Sequence, residues 1–248
     1  MTDETPRPPR TRDIAAILFA SLFPTLVTWV YFVTLAKSEA SLQQTAYSIG
    51  KTMQFSFPLL WVLLVQRHWP RWLWGSGRYV GLAVGFGALV SVGMVALYQV
   101  AAGSTNLLAG AETEIRAKVE GIGIHFLWQY VAAAVFYSLG HSLLEEYYYR
   151  WFIFGQMRAM LPLVPALILS SLAFMAHHVI VLAMYFGWSS PVTYLFSLCI
   201  ATGGLVWAWI YEKSGSLIGP WLSHMLVDAA IFLVGYSIVG SLLQPSGG

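Results

Sequence analysis

Seven apolar stretches follow one another along this sequence, at about residues 14–36, 43–66, 79–102, 124–159, 161–186, 191–211 and 216–240. An α-helix of about 20 apolar residues spans the ~30 Å hydrocarbon core of a bilayer. Inside that core every backbone N–H and C=O must find its partner within the protein, which a helix does by itself. The series therefore predicts an all-α fold, a polytopic transmembrane bundle of seven to eight helices. Composition agrees. Only 10% of residues are charged and 58% are hydrophobic, whereas a water-facing domain carries about 25% charged residues. The second stretch is the weakest, diluted by Gln43, Gln44, Lys51 and Gln54. The fourth is too long for one simple span.

Residues 1–13, MTDETPRPPRTRD, read as a proline-rich cytoplasmic tail, and 14–248 as a single transmembrane domain. The first apolar stretch is too long for a signal-peptide core and lacks a clear cleavage site, so it is expected to stay as a span. Orientation follows from the lysines and arginines. With a cytoplasmic N-terminus, Arg7, Arg10, Arg12, Arg67, Arg71, Arg78, Arg158 and Lys213 fall inside, and Lys37, Lys51, Arg116 and Lys118 fall outside. That bias favours a cytoplasmic N-terminus in a cell (inner) membrane protein. The net charge of +2 points to no nucleic-acid partner. Cys199 stands alone, which excludes an internal disulfide and a cysteine-based zinc site.

Within 105–122, Leu108, Ala111, Ile115, Val119 and Ile122 recur at helical spacing, while Glu112–Arg116 and Glu114–Lys118 sit four apart as supportive ion pairs do. The expectation is an amphipathic helix on the outer membrane surface or in a solvated loop.

An ionisable group inside a span costs several kcal/mol and is a functional hypothesis by default. The second half of the chain holds several: Glu145, Glu146 and Arg150; His177 and His178; His224 and Asp228. Glu146 and Arg150, four apart, share a helix face and make a structural ion pair. Glu145 points about 100° away from Glu146, so the two carboxylates are expected to serve different partners. His141, one turn earlier on Glu145's own face, is a hydrogen-bond candidate for it. Asp228 lies one turn after His224 and can orient its imidazole.

Depth brings these groups together. At 1.5 Å per residue, Glu145 lies roughly 20 Å from the boundary at Arg158, His178 roughly 25 Å past Leu161, and His224 roughly 16 Å past Lys213. All three fall in the middle or outer half of the core, provided that the fourth helix runs long, from about 126 to 159. A carboxylate with imidazoles, and no serine or lysine placed as a nucleophile, suits activation of water. Glu145 is the general base; one histidine holds the water, and another stabilises the oxyanion of a tetrahedral intermediate.

Three motifs occur in order on late helices: EExxxR (Glu145, Glu146, Arg150), FxxxH (Phe174 to His178) and HxxxD (His224 to Asp228). Together they resemble the CAAX-protease and bacteriocin-processing family (CPBP, or Abi), which includes endopeptidases that trim prenylated CAAX proteins. The resemblance spans about residues 125–240. It implies an intramembrane endopeptidase of the glutamate type, with Glu145 as base, His178 as its water-binding partner, and His224 with Asp228 stabilising the oxyanion. Glu146, Arg150, His141 and His177 take supporting places, the FxxxH spacing selecting His178 over its neighbour. The implied partners are a peptide or membrane-anchored protein substrate and membrane lipid.

Other readings differ in chemistry. A non-proteolytic scaffold or bacteriocin-immunity protein of the same family would share the fold without turnover. A zinc site from Glu145, His178 and His224 has enough ligands for catalytic zinc, but the chain lacks HExxH, so no metal or other cofactor is expected. A proton-relay transporter would be favoured by inverted repeats, and none is visible.

Overall fold

The computed structural model of the chain describes residues 11–67, 69, 77–104 and 109–244. Most of the proline-rich tail, with Arg7 and Arg10, lies outside them, as do Arg71 and Leu108. The described part is helical. Its β-structure is one isolated bridge between Phe126 and Gln244.

Six helices are long and apolar enough to cross a membrane: α1 (Thr11–Thr34), α2 (Ala40–Gln66), α3 (Val80–Ser104), α6 (Leu163–Phe186), α7 (Pro191–Ser214) and α8, whose regular part is Ile218–Val239. Between them come the short α4 (Ala109–Gly121) and a long α5. Helix α5 starts as Leu127–Val135 and widens into π turns over Phe136–His141. It tightens over Ser142–Glu146, widens again over Tyr147–Phe154 and closes with Gly155–Arg158. No break separates these pieces, so α5 is the long fourth helix that the depth argument required. At about 45 Å it exceeds the ~30 Å core. With α5 counted, seven helices have the length to span.

Local chemistry sets several boundaries. Ser190 caps α7, its Oγ accepting from the Val192 N–H at 3.3 Å, with Pro191 in the first helical position where a missing N–H costs nothing. Gly215 ends α7 at φ 62°, a left-handed conformation that glycine adopts without strain.

Helix α3 packs along α8, α6 along α7, and α1 against both α2 and α6. The main core gathers around α5, where Tyr148, Tyr149, Phe152 and Phe154 meet Phe174 of α6 and Trp207 and Tyr211 of α7. Large apolar side chains elsewhere, such as Leu22, Leu64 and Leu89, point outward to the lipid.

Helix α4 forms within the expected amphipathic stretch. Part of its apolar face packs on the bundle: Ala111 is buried, and Ile115 and Val119 pack on a small cluster of Tyr130, Ile238 and Val239, while Ile122 is exposed. The two i,i+4 ion pairs are not made among the described residues. The Tyr98 hydroxyl reaches Glu112 at 3.5 Å, Arg116 reaches Ser241 Oγ at 3.3 Å, and Lys118 Nζ donates to the Tyr31 hydroxyl at 2.8 Å. Exposed i,i+4 pairs are worth only about 0.3–0.5 kcal/mol, so tertiary partners displace them easily.

Candidate active site

The tight turn Ser142–Glu146, between the two wide segments of α5, carries both glutamates into the bundle interior. Wide turns of this kind gather at functional sites because they shift the phase of the side chains around them. Both glutamates are buried, Glu146 fully so.

Glu145 is ringed by imidazoles. His141 Nε2 lies 3.8 Å and His177 Nε2 3.5 Å from its Oε1, and His224 Nε2 lies 3.7 Å from its Oε2. A ligand atom of His178 comes within 4.8 Å of Glu145 and of His177. Asp228 Oδ1 stands 3.6 Å from His224 Nε2. The residues singled out in the sequence thus share one place, supplied by α5, α6 and α8.

Glu146 pairs with Arg150 Nε at 3.0 Å, as its spacing predicts. It also does what the helix-face geometry argued against. Its Oε1 accepts from His224 Nδ1 at 2.7 Å, so the two glutamates share a partner after all. The resolution is that an imidazole has a nitrogen on each of two edges. His224 enters between the diverging carboxylates and turns Nδ1 to Glu146 and Nε2 towards Glu145.

Of the two adjacent histidines, His177, the one that FxxxH does not select, is the closer to the Glu145 carboxylate, at 3.5 Å. The rings of His177 and His178 lie 4.0 Å apart and both face the site. Their hydrogen-bond partners assign them different tautomers. His177 Nε2 faces a carboxylate, which only accepts, so the proton sits there and Nδ1 accepts from the Tyr149 hydroxyl at 3.0 Å. His178 Nδ1 faces the Phe174 carbonyl at 2.9 Å, so its proton sits on Nδ1 and Nε2 keeps a free lone pair.

Aromatic rings hold the charged groups in place. Trp207 stacks on His224, with centroids 4.3 Å apart, and donates its indole N–H to Ser223 Oγ at 2.9 Å. The Arg150 guanidinium carbon lies 4.5 Å from the Phe174 centroid and 5.1 Å from that of Trp207. Such cation–π contacts are worth about 2 kcal/mol when desolvated, which offsets part of the burial of an arginine only 1% exposed. Spacing arguments missed Tyr149 and Trp207. Tyr149 lies one turn after Glu145 and was open to the same i,i+4 reasoning that found His141. Trp207 carries no signal among the apolar residues of α7.

Which residues could hold a metal also changes. Glu145, His177 and His178 each offer a ligand atom, all within 4.8 Å of one another. His224, which the sequence placed in the alternative zinc set, is not part of this group, although its Nε2 lies 3.7 Å from Glu145 Oε2. His178 already has the form of a metal-bound histidine, its other nitrogen tied to a backbone carbonyl. His177 would need its proton moved to Nδ1, towards the Tyr149 oxygen. With that shift the set fits the two-histidine, one-carboxylate pattern of catalytic zinc.

A cavity of 530 Å³ opens beside this cluster, between α2 and α5. His141 lines it while also facing Glu145, and so joins the cavity to the site.

Residues 127–230 match the family model described as type II CAAX prenyl endopeptidase Rce1-like. Over this interval the chain is similar to the Rce1-like family. The matched interval opens at the first residue of α5 and ends two residues beyond Asp228, so every candidate site residue falls inside it. No curated protein and no solved structure gives a significant match. Helices α1 to α4, and the α2 wall of the cavity, lie outside the matched interval.

Proposed function

We propose that this integral membrane protein is an intramembrane endopeptidase that hydrolyses a peptide bond with water activated by Glu145. The observation that carries the reading is one buried carboxylate faced by His141, His177 and His224, with the free nitrogen of His178 alongside. Glu145 takes a proton from water as the water oxygen attacks the scissile carbonyl carbon. His178 Nε2 holds that water by accepting its second hydrogen. His224, with carboxylates at both nitrogens, presents an N–H at Nε2 to the developing oxyanion, and Asp228 orients it. The intermediate collapses as Glu145 passes its proton to the departing nitrogen and the C–N bond breaks. His177, fixed by Tyr149, holds Glu145 in place. The family description directs the search for substrate to prenylated peptides.

The test is Glu145→Gln, which keeps shape and removes the base. Protein of normal abundance and thermal unfolding should cleave a farnesylated peptide at least about a hundredfold more slowly. If Glu145→Gln stays active while Glu146→Gln is folded but dead, the base is misassigned.

This reading needs no metal. If zinc were bound, Glu145, His177 and His178 would hold it, and it would polarise the substrate carbonyl or the water. Purified active protein is expected to contain substoichiometric zinc and to keep its turnover in chelator. Stoichiometric zinc, with activity lost to chelator and restored by the ion, would overturn the metal-free mechanism.

A further inference from the structure

Lys51 stands alone among the charges of the membrane interior. It lies about 16 Å along α2 from Ala40, near the middle of a ~30 Å core. Unlike Arg150, it forms no ion pair among the described residues. Its ammonium sits 5.5 Å from the centroids of both Tyr47 and Phe55, and its side chain lines the 530 Å³ cavity between α2 and α5. A cation at this depth needs a reason, and no carboxylate among the described residues supplies one at contact distance. A path of rings leads from it towards Glu145: the ammonium faces Phe55, Phe55 meets His141 with centroids 6.2 Å apart, and His141 meets Glu145 at 3.8 Å. That path is at most about 17 Å long, which an extended peptide covers in about five residues.

The cavity is mostly apolar, with the hydroxyl groups of Ser48, Thr52 and Ser56 on the α2 side near this cation. Phe136 and Leu144 of α5 and Leu60 of α2 form its walls while also facing lipid. An apolar or lipid-modified chain can lie along them. An anion entering a site that holds Glu145 and Glu146 meets repulsion unless a cation receives it.

Resting on the endopeptidase reading above, we propose that Lys51 is a substrate-binding residue: it receives the free C-terminal carboxylate of a peptide lying in the α2–α5 cavity and so sets cleavage a few residues before the chain end. A lipid phosphate presents similar chemistry, and the experiment separates the two.

Two farnesylated peptides are made, identical except for a C-terminal carboxylate or carboxamide. Their binding is measured by fluorescence anisotropy on detergent-purified Glu145→Gln protein, expected to cleave them at least about a hundredfold more slowly, with and without Lys51→Met or Lys51→Arg. Cleavage by the chain with its native Glu145 is followed in parallel. The acid should bind at least about tenfold tighter than the amide. Lys51→Met should reduce that ratio to about one, and Lys51→Arg should keep most of it, with thermal unfolding unchanged in both. A loss of packing alone would weaken acid and amide equally and leave the ratio intact.

Equal binding of acid and amide to protein with Lys51 intact, or no binding of either, overturns the proposal. So does a ratio that survives Lys51→Met, or a Lys51 dependence seen only for nanodiscs of anionic against zwitterionic lipid. If the ratio depends on Lys51 but neither peptide is cleaved, carboxylate recognition stands and the endopeptidase reading falls.

Discussion

Helices α3 and α5 invert the rule of soluble proteins. Helix α3 carries no charged residue, yet among its described side chains only Ala83 and Ala101 are buried, and Leu89 is 72% exposed. Helix α5 carries two glutamates, two arginines and a histidine, and buries Glu145, Glu146 and Arg150 with the aromatic residues that follow. In a bilayer, lipid solvates leucine as well as a neighbouring helix does. Apolar character therefore does not draw a helix inward. Unpaired charge does, because only other protein groups can satisfy it.

The contrast is broken most severely by unpairing the α5 charges. Arg150→Ala leaves Glu146 buried beside His224 without its cation, and should destabilise the fold by about 3–5 kcal/mol. Detergent thermal unfolding and membrane abundance measure the loss. Glu146→Ala should behave similarly and also slow cleavage, because Glu146 holds His224 Nδ1. An Arg150→Ala protein as stable as its parent would show that the pair is not what anchors α5.

A smaller effect is expected where α3 meets α8. A Cβ on Gly87 would sit 2.7 Å from the Ser223 carbonyl oxygen and 2.9 Å from its Cα, atoms that cannot swing aside. Gly87→Ala should therefore destabilise by about 1–3 kcal/mol and lower turnover, since Ser223 precedes His224 and receives the Trp207 N–H. Gly85, two residues away, has nothing within 4 Å of its would-be Cβ. Gly85→Ala should be neutral or slightly stabilising by the gain in helix propensity. Equal unfolding temperatures for the two variants would contradict the close packing of α3 on α8.

The smallest effect belongs to the lipid face. Leu89→Ala removes a large apolar side chain and should change stability by no more than about 0.5 kcal/mol, the ordinary range for surface substitutions away from special features. A loss of several kcal/mol would mean that α3 is buried against something other than lipid.

Much of the molecule was legible because the relevant relations are local in sequence. Apolar length marked the spans, and spacing of four paired Glu146 with Arg150, His141 with Glu145, and His224 with Asp228. Depth arithmetic extended α5 to Arg158. What stayed hidden crosses between helices. Nothing local says that His224 of α8 will divide its nitrogens between two glutamates of α5, or that Trp207 of α7 will lie flat against it. The α4 pattern reported an apolar face in the same local way, without saying that Ile115 and Val119 pack beside Tyr130 and Ile238. The wide turns of α5 were hidden too, since no local pattern marks where a helix widens.

Those wide turns also make α5 a shaft in two parts joined by a phase coupling. A π segment holds extra chain in a turn without breaking the helix. Releasing one residue from Tyr147–Phe154 would turn the Glu145–Glu146 step by about 100° relative to the Gly155–Arg158 end. The carboxylates would swing off the histidines of α6 and α8, although every side chain of the site would still be present. For a chain of this kind, a gap of one residue in α5 is thus a rotation of the active site, and intact motifs on either side of it would not reveal the change.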